Sequence, residues 1–154
     1  MNLDAHPLMP GSGFTDSERR CHVFPIRVYY EDTDAMGIVF YVNYLKYAER
    51  ARTEVLRQMG REQDRWLRER DVGFVVRRCE VDYLAPARLD DVLRVETRLL
   101  DVGAASLRLR QDIFRAAVKL TGLVLRLALV SRAGKPQRLP RDLRESLESL
   151  VSLG

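Results

Sequence analysis

Residues 29–60 read Tyr29-Tyr30-Glu31-Asp32-Thr33-Asp34-Ala35-Met36-Gly37-Ile38-Val39-Phe40-Tyr41-Val42-Asn43-Tyr44, then LKYAERARTEVLRQMG. The second half carries helical periodicity: Tyr44, Ala48, Ala51, Val55 and Met59 fall 4, 3, 4 and 4 apart and form one apolar stripe. Lys46, Glu49, Arg50, Glu54 and Arg57 lie mostly off it. Asn43 is a good N-cap and Gly60 a good C′ residue, so the spacing predicts one long helix between them. Two alanines in the middle of the stripe let that helix approach a sheet closely.

Working outward, VFPIRVYYE (residues 23–31) is rich in β-branched and aromatic residues and reads as a strand. Glu62 to Arg70 reads as a shorter helix anchored by Trp66. Beyond Gly73 four strand candidates follow: FVVRRCEVDYLAP, VLRVETRLLDV, SLRLRQDIF and KLTGLVLRLALVSR. In the last, Leu123, Leu125, Leu127 and Leu129 face one way. Arg141 to Leu150 suits a short surface helix. Consecutive strands joined by short turns form an antiparallel sheet, and that sheet must cover one long helix. The expected class is α+β, with a curved antiparallel sheet wrapped around one central α-helix. Residues 1–20 read as a flexible N-terminal leader, and 21–154 as a single domain without internal repeat.

Composition narrows the function. The chain has 46% hydrophobic and 31% charged residues, as ordinary globular proteins do. Its net charge of +4 comes from 23 arginines against 3 lysines, interleaved with acids. Without a dense basic block, nucleic acid is not expected as a partner. No apolar run approaches the ~20 residues that span a bilayer, and no secretory signal opens the chain. The expected location is cytoplasmic, with no stable membrane insertion. Cys21 and Cys79 form no CxxC, and His6 and His22 lie far from any ligand cluster, so reduced thiols and no metal or other cofactor are expected.

The loop before the helix holds the chemistry. Glu31, Asp32 and Asp34 crowd three carboxylates into four positions ahead of Gly37 and a helix start. Like charges so close repel, and a helix N-terminus offers compensation through free N–H groups and partial positive charge. The same N–H groups suit a substrate carbonyl as it gains negative charge. A carboxylate beside such a helix end is a workable hydrolase that needs neither metal nor histidine. Asp32 is the better candidate for capping the turn, and for Asp34 the structural alternative is an Asx turn. Glu49 reads as a helix ion-pair partner of Arg52 or Arg50, and Tyr44 and Tyr47 as core or interface aromatics.

The stretch YYEDTDAMGIVFYVNYLKYAERARTE, with the later DYLAPARLDDVLRVET, resembles the 4-hydroxybenzoyl-CoA thioesterase family, nearest to its Tol–Pal-associated acyl-CoA thioesterase branch. The likeness covers roughly residues 22–140. It implies the hotdog fold and a homo-oligomer, dimer or homotetramer, with active sites at the subunit interface. It implies that Asp34 is the catalytic carboxylate, as nucleophile or as base for water, and that the Tyr41 backbone N–H polarises the thioester carbonyl. Substrate contacts fall to Gly37, Ile38, Val39 and Arg88. Arg77 and Arg78 are further candidates for CoA phosphates. The Tol–Pal branch carries histidine where this chain has Tyr41; a backbone role survives that change. The implied activity is hydrolysis of an acyl-CoA, short-chain aliphatic or aromatic, to free acid and CoA. An acyl-CoA or acyl-carrier-protein binding module, or a phospholipid-synthesis partner with weak hydrolysis, is the alternative. A hotdog dehydratase is disfavoured, because that chemistry wants a histidine base and none lies beyond residue 22.

Overall fold

A computed structural model describes residues 8–151. The elements run β1 (Phe14–Asp16), β2 (Cys21–Arg27), α1 (Asn43–Gln58), α2 (Gln63–Arg70), β3 (Val72–Tyr83), β4 (Val92–Val102), β5 (Ser106–Arg115), β6 (Val118–Ser131) and α3 (Arg141–Glu148). The strands form one six-stranded sheet in the order β1-β2-β4-β5-β6-β3. Every neighbouring pair is antiparallel. The expected architecture, a curved antiparallel sheet against one long helix, is the observed one.

α1 buries the anticipated stripe: Tyr44, Ala48, Ala51 and Val55 are buried, joined by Tyr47 and Leu56. Gln111, fully buried on β5, clamps helix to sheet. Its Nε2 donates to the Ala48 carbonyl at 2.9 Å and to Thr97 Oγ1 at 3.0 Å, while its Oε1 accepts from Arg52 Nη1 at 2.8 Å. A helix carbonyl can meet a sheet side chain this closely only because alanine leaves the helix surface low there. Leu123, Leu125, Leu127 and Leu129 line the core from β6. α3 closes one end of that core through Leu143 and Leu147.

Three expectations change. The segment expected as a flexible leader enters the sheet: Phe14–Asp16 pairs with β2, with Thr15 opposite His22. Arg19, in the turn after it, reaches the fully buried Glu96 at 2.9 Å. Pro10, Gly11 and Gly13 made the segment look loose; its pairing partners lie outside it. Residues 1–7, including His6, fall outside the described residues. Second, Asn43 is the first helical residue and Val42 the cap; the Asn43 side chain donates to the Asp32 carbonyl at 2.8 Å instead of capping. Third, β3 and β4 are consecutive but not neighbours. β3 pairs with β6 at one edge, and residues 84–91 carry the chain back across the sheet end to β4, beside β2. That crossing decides where the functional loop finds its partners.

Candidate active site

The chain leaves β2 at Arg27 and makes a 3-10 turn at Tyr30–Asp32. Asp32 is buried and closes this turn: its Oδ2 accepts the Tyr29 amide at 2.8 Å. Its carbonyl accepts both the Phe40 amide at 2.9 Å and the Asn43 side chain. One residue thus ties the start of the loop to the start of α1, the capping role anticipated for it.

Between these ties, Thr33 bridges Val39 and the chain reverses through Asp34–Gly37. The Gly37 amide donates to the Asp34 carbonyl and the Asp34 amide to the Ile38 carbonyl, both at 2.9 Å. Gly37 sits at φ +76°, a region that disfavours side chains, which is why the reversal needs glycine there. The Asp34 carboxylate is half-exposed. Its Oδ1 accepts the Met36 amide at 2.8 Å, the Asx turn named above as the structural alternative. That bond uses one oxygen and fixes the carboxylate's direction. The other oxygen, Oδ2, has no hydrogen bond among the described residues. Asp34 also adds to the upward shift of the Tyr44 phenol. Burial is the main cause of that shift, and Asp91 contributes too.

The returning 84–91 segment completes the site. The Val39 amide donates to the Ala87 carbonyl at 2.9 Å, and Ile38 bridges Arg88. The buried Tyr44 hydroxyl accepts the Ala87 amide at 3.0 Å, joining this segment to α1. Asp91 accepts the Arg88 amide and the Arg115 guanidinium, each at 2.8 Å, which pins the turn. The Arg88 side chain itself is exposed, with no ion-pair partner among the described residues. Gly37, Ile38, Val39 and Arg88 therefore come together as main chain. Val39, however, points its side chain into the core at 3% exposure, so any contact it makes with a ligand is through backbone.

Tyr41 stands in the turn that leads into α1. Its amide has no acceptor among the described residues, while its carbonyl accepts the Tyr83 hydroxyl at 3.1 Å. The rings of Tyr41 and Tyr83 meet edge to face with centroids 6.1 Å apart, and Tyr83 packs on Tyr44 at 5.7 Å. Sequence reading singled out neither Tyr83 nor Ala87. Tyr83 comes from β3, 42 residues away, and only the sheet brings it here. Arg77 and Arg78 do not join the site; they lie along β3, Arg78 opposite Arg126 on the face turned away from α1. Glu49 is exposed and lies 3.7 Å from Arg52. No group of three or more His, Cys, Asp or Glu among the described residues is arranged to hold a metal ion.

The loop that carries the fixed, half-exposed Asp34 carboxylate is tied through the Asp32 carbonyl to Phe40 and Asn43, and in the turn between them the Tyr41 amide has no acceptor among the described residues. Around it, Tyr30, Met36, Phe40, Tyr41, Tyr83 and Leu84 expose apolar surface.

A family model described as the thioesterase superfamily matches residues 36–121. The chain is 39% identical over 128 residues to an acyl-CoA thioesterase, YbgC, of Haemophilus influenzae, covering 82% of this chain and 94% of that protein. It is 43% identical over 122 residues to the acyl-CoA thioester hydrolase YbgC of Escherichia coli O6:H1, covering 78% and 90%. Among solved structures it superposes on a probable thioesterase from Bartonella henselae with a TM-score of 0.76 at 34% identity, covering 78% of this chain and 99% of that one.

Proposed function

Because this chain belongs to the thioesterase superfamily and is a thioester hydrolase, we propose that it cleaves acyl-CoA thioesters, with the Asp34 carboxylate and the Tyr41 amide, in the turn that leads into α1, as its catalytic pair. The observation that carries this reading is the single arrangement of loop 33–39. One oxygen of Asp34 is held by the Met36 amide, while the other oxygen and the Tyr41 amide have no hydrogen-bond partner among the described residues.

The chemistry follows from those two groups. A thioester carbonyl seated on the Tyr41 amide becomes more electrophilic, and the negative charge that develops on its oxygen is stabilised by the amide and the α1 dipole. Oδ2 of Asp34 then attacks the carbonyl carbon directly or takes a proton from an attacking water. In the water route the tetrahedral oxygen collapses, the C–S bond breaks and the proton held by Asp34 passes to the departing CoA sulfur. In the direct route collapse expels CoA thiolate and leaves a mixed anhydride on Asp34. Water hydrolyses that anhydride to the free acid and the carboxylate, releasing the proton the thiolate takes up. The Tyr83 hydroxyl, bonded to the Tyr41 carbonyl, holds the following peptide, between Tyr41 and Val42, and so restrains the backbone of Tyr41. The free cation of Arg88, next to Ile38, suits a phosphate of CoA.

The site belongs to a homo-oligomer in this reading. β3 is a 12-residue edge strand, mostly exposed, with Val75 and Val76 uncovered. Proteins protect such edges, and pairing with a second copy is one route. Pairing there would bring the partner's surface against Tyr83 and Tyr41.

The decisive experiment measures thiol release from a panel of benzoyl, short aliphatic and long aliphatic CoA esters. Asp34→Asn keeps an oxygen for the Met36 amide but removes the charge. Its kcat should fall at least ~10²-fold with an unchanged thermal midpoint. Wild-type turnover in that variant, or no cleavage of any ester by the parent, would reject the assignment.

A further inference from the structure

The face of the sheet turned away from α1 concentrates the chain's arginines. In β6 the leucines 123, 125, 127 and 129 enter the core, so Arg126 between them points outward. The strand register sets Arg78 of β3 opposite Arg126 on one side and Arg108 of β5 opposite it on the other. Three guanidinium groups thus share one row across three adjacent strands. Arg77, at the irregularity between Val76 and Arg78, and Arg110, two residues beyond Arg108, widen the patch.

Like charges directly opposite one another in a sheet are destabilising. Two of the five arginines have partial relief: Arg78 reaches Glu80 at 2.6 Å and Arg108 reaches Asp101 at 3.3 Å, all four side chains largely exposed. Arg77, Arg110 and Arg126 have no carboxylate within ion-pair distance among the described residues. Arg77, Arg78 and Arg126 line a depression of about 380 Å³ together with Ser106 and Ala128. Among the described residues no carboxylate lines it. Its wall offers three guanidinium forks and a hydroxyl, so a well-matched occupant supplies acceptor oxygens and negative charge. The volume lies within the range of small-molecule sites and exceeds what a single anion needs.

We propose that this depression is a second ligand site, for the diphosphate group of a phosphorylated small molecule, separate from the Asp34 site. Guanidinium forks pair bidentately with phosphoryl oxygens, and two linked phosphates engage Arg126 together with Arg77 or Arg78. The separation is built into the fold. Arg78 is five residues along β3 from Tyr83, roughly 17 Å at ~3.3 Å per residue, and on the opposite face of the sheet from α1.

The test titrates the full chain with inorganic diphosphate by calorimetry at low ionic strength. Wild type should bind saturably. The Arg77→Ala/Arg126→Ala double variant should bind at least ~10-fold more weakly, with wild-type hydrolysis and a thermal midpoint no lower than that of wild type. Arg88→Ala, in the proposed substrate site, should keep wild-type diphosphate affinity. Equal affinity in wild type and the double variant overturns the proposal, as does loss of binding in Arg88→Ala alone. Heats reproduced by sodium chloride at matched ionic strength also overturn it. So does binding only to vesicles of anionic phospholipid, without saturable diphosphate binding, which would make the face a membrane contact instead.

Discussion

At Asp34, alanine and asparagine remove different things. Asparagine removes the negative charge and keeps an acceptor for the Met36 amide. Alanine also releases the turn that Gly37 completes. Asp34→Ala should therefore match the kcat loss of Asp34→Asn and lower the thermal midpoint as well, a contrast that differential scanning calorimetry reads directly. His22 offers a prediction about pH. It is 1% exposed, and neither ring nitrogen has a hydrogen-bond partner among the described residues. Burial pushes its pKa down from 6.5 to about 4, opposed by the nearby Gln58 side chain. The unfolded chain thus takes up a proton at higher pH than the folded one. Stability is fully present above about 6.5 and is lost as pH falls toward 4. The loss should be on the order of 2 kcal/mol by pH 5, from ~1.36 kcal/mol per pKa unit. Urea unfolding at pH 7.5 and pH 5 checks this; in His22→Gln the difference attributable to this group should vanish.

The elements divide between those that declare themselves and those that depend on partners. α1 ends as its sequence indicates. The Arg61 amide donates to the Leu56 carbonyl at 2.8 Å and the Gly60 amide to the Arg57 carbonyl at 3.0 Å, a Schellman closure with Gly60 at φ +71°. Gly60→Ala should cost about 1 kcal/mol, because alanine resists that backbone region. That corresponds to a midpoint lower by roughly 2–4 °C in thermal unfolding. β4 matches its sequence reading residue for residue at Val92–Val102, where Leu93, Val95, Thr97 and Leu99 recur every second position and are all buried. β1 was illegible. Three residues with two glycines before them carry no periodic signal, and the strand exists only because β2 offers an edge and Glu96 a buried charge for Arg19. The start of α1 was legible to within one residue, but the role of Asn43 was not, because its true partner, the Asp32 carbonyl, lies 11 residues back across the loop.

For the whole molecule, the exposed β3 edge and the apolar ring around Tyr41 and Tyr83 motivate a prediction about assembly. Val76→Lys should shift the particle to a smaller mass in light scattering and reduce turnover together with it. An unchanged mass would place the oligomer contact elsewhere, and a monomeric parent would remove it. The long amphipathic helix, the alternating strands and the Asp-x-Asp-x-x-Gly loop ahead of a helix were all legible in the chain, because each is a local periodicity or a spacing of a few residues. Class, the order of elements from β2 onward and the choice of Asp34 as candidate carboxylate therefore followed from sequence alone. The strand order, the return of residues 84–91 beneath loop 33–39, the Tyr83 hydroxyl on the Tyr41 peptide and the arginine row on the outer face are settled only by tertiary structure. Each joins residues tens of positions apart, and long-range pairing is chosen by the packing of the whole sheet, which no local window of sequence contains.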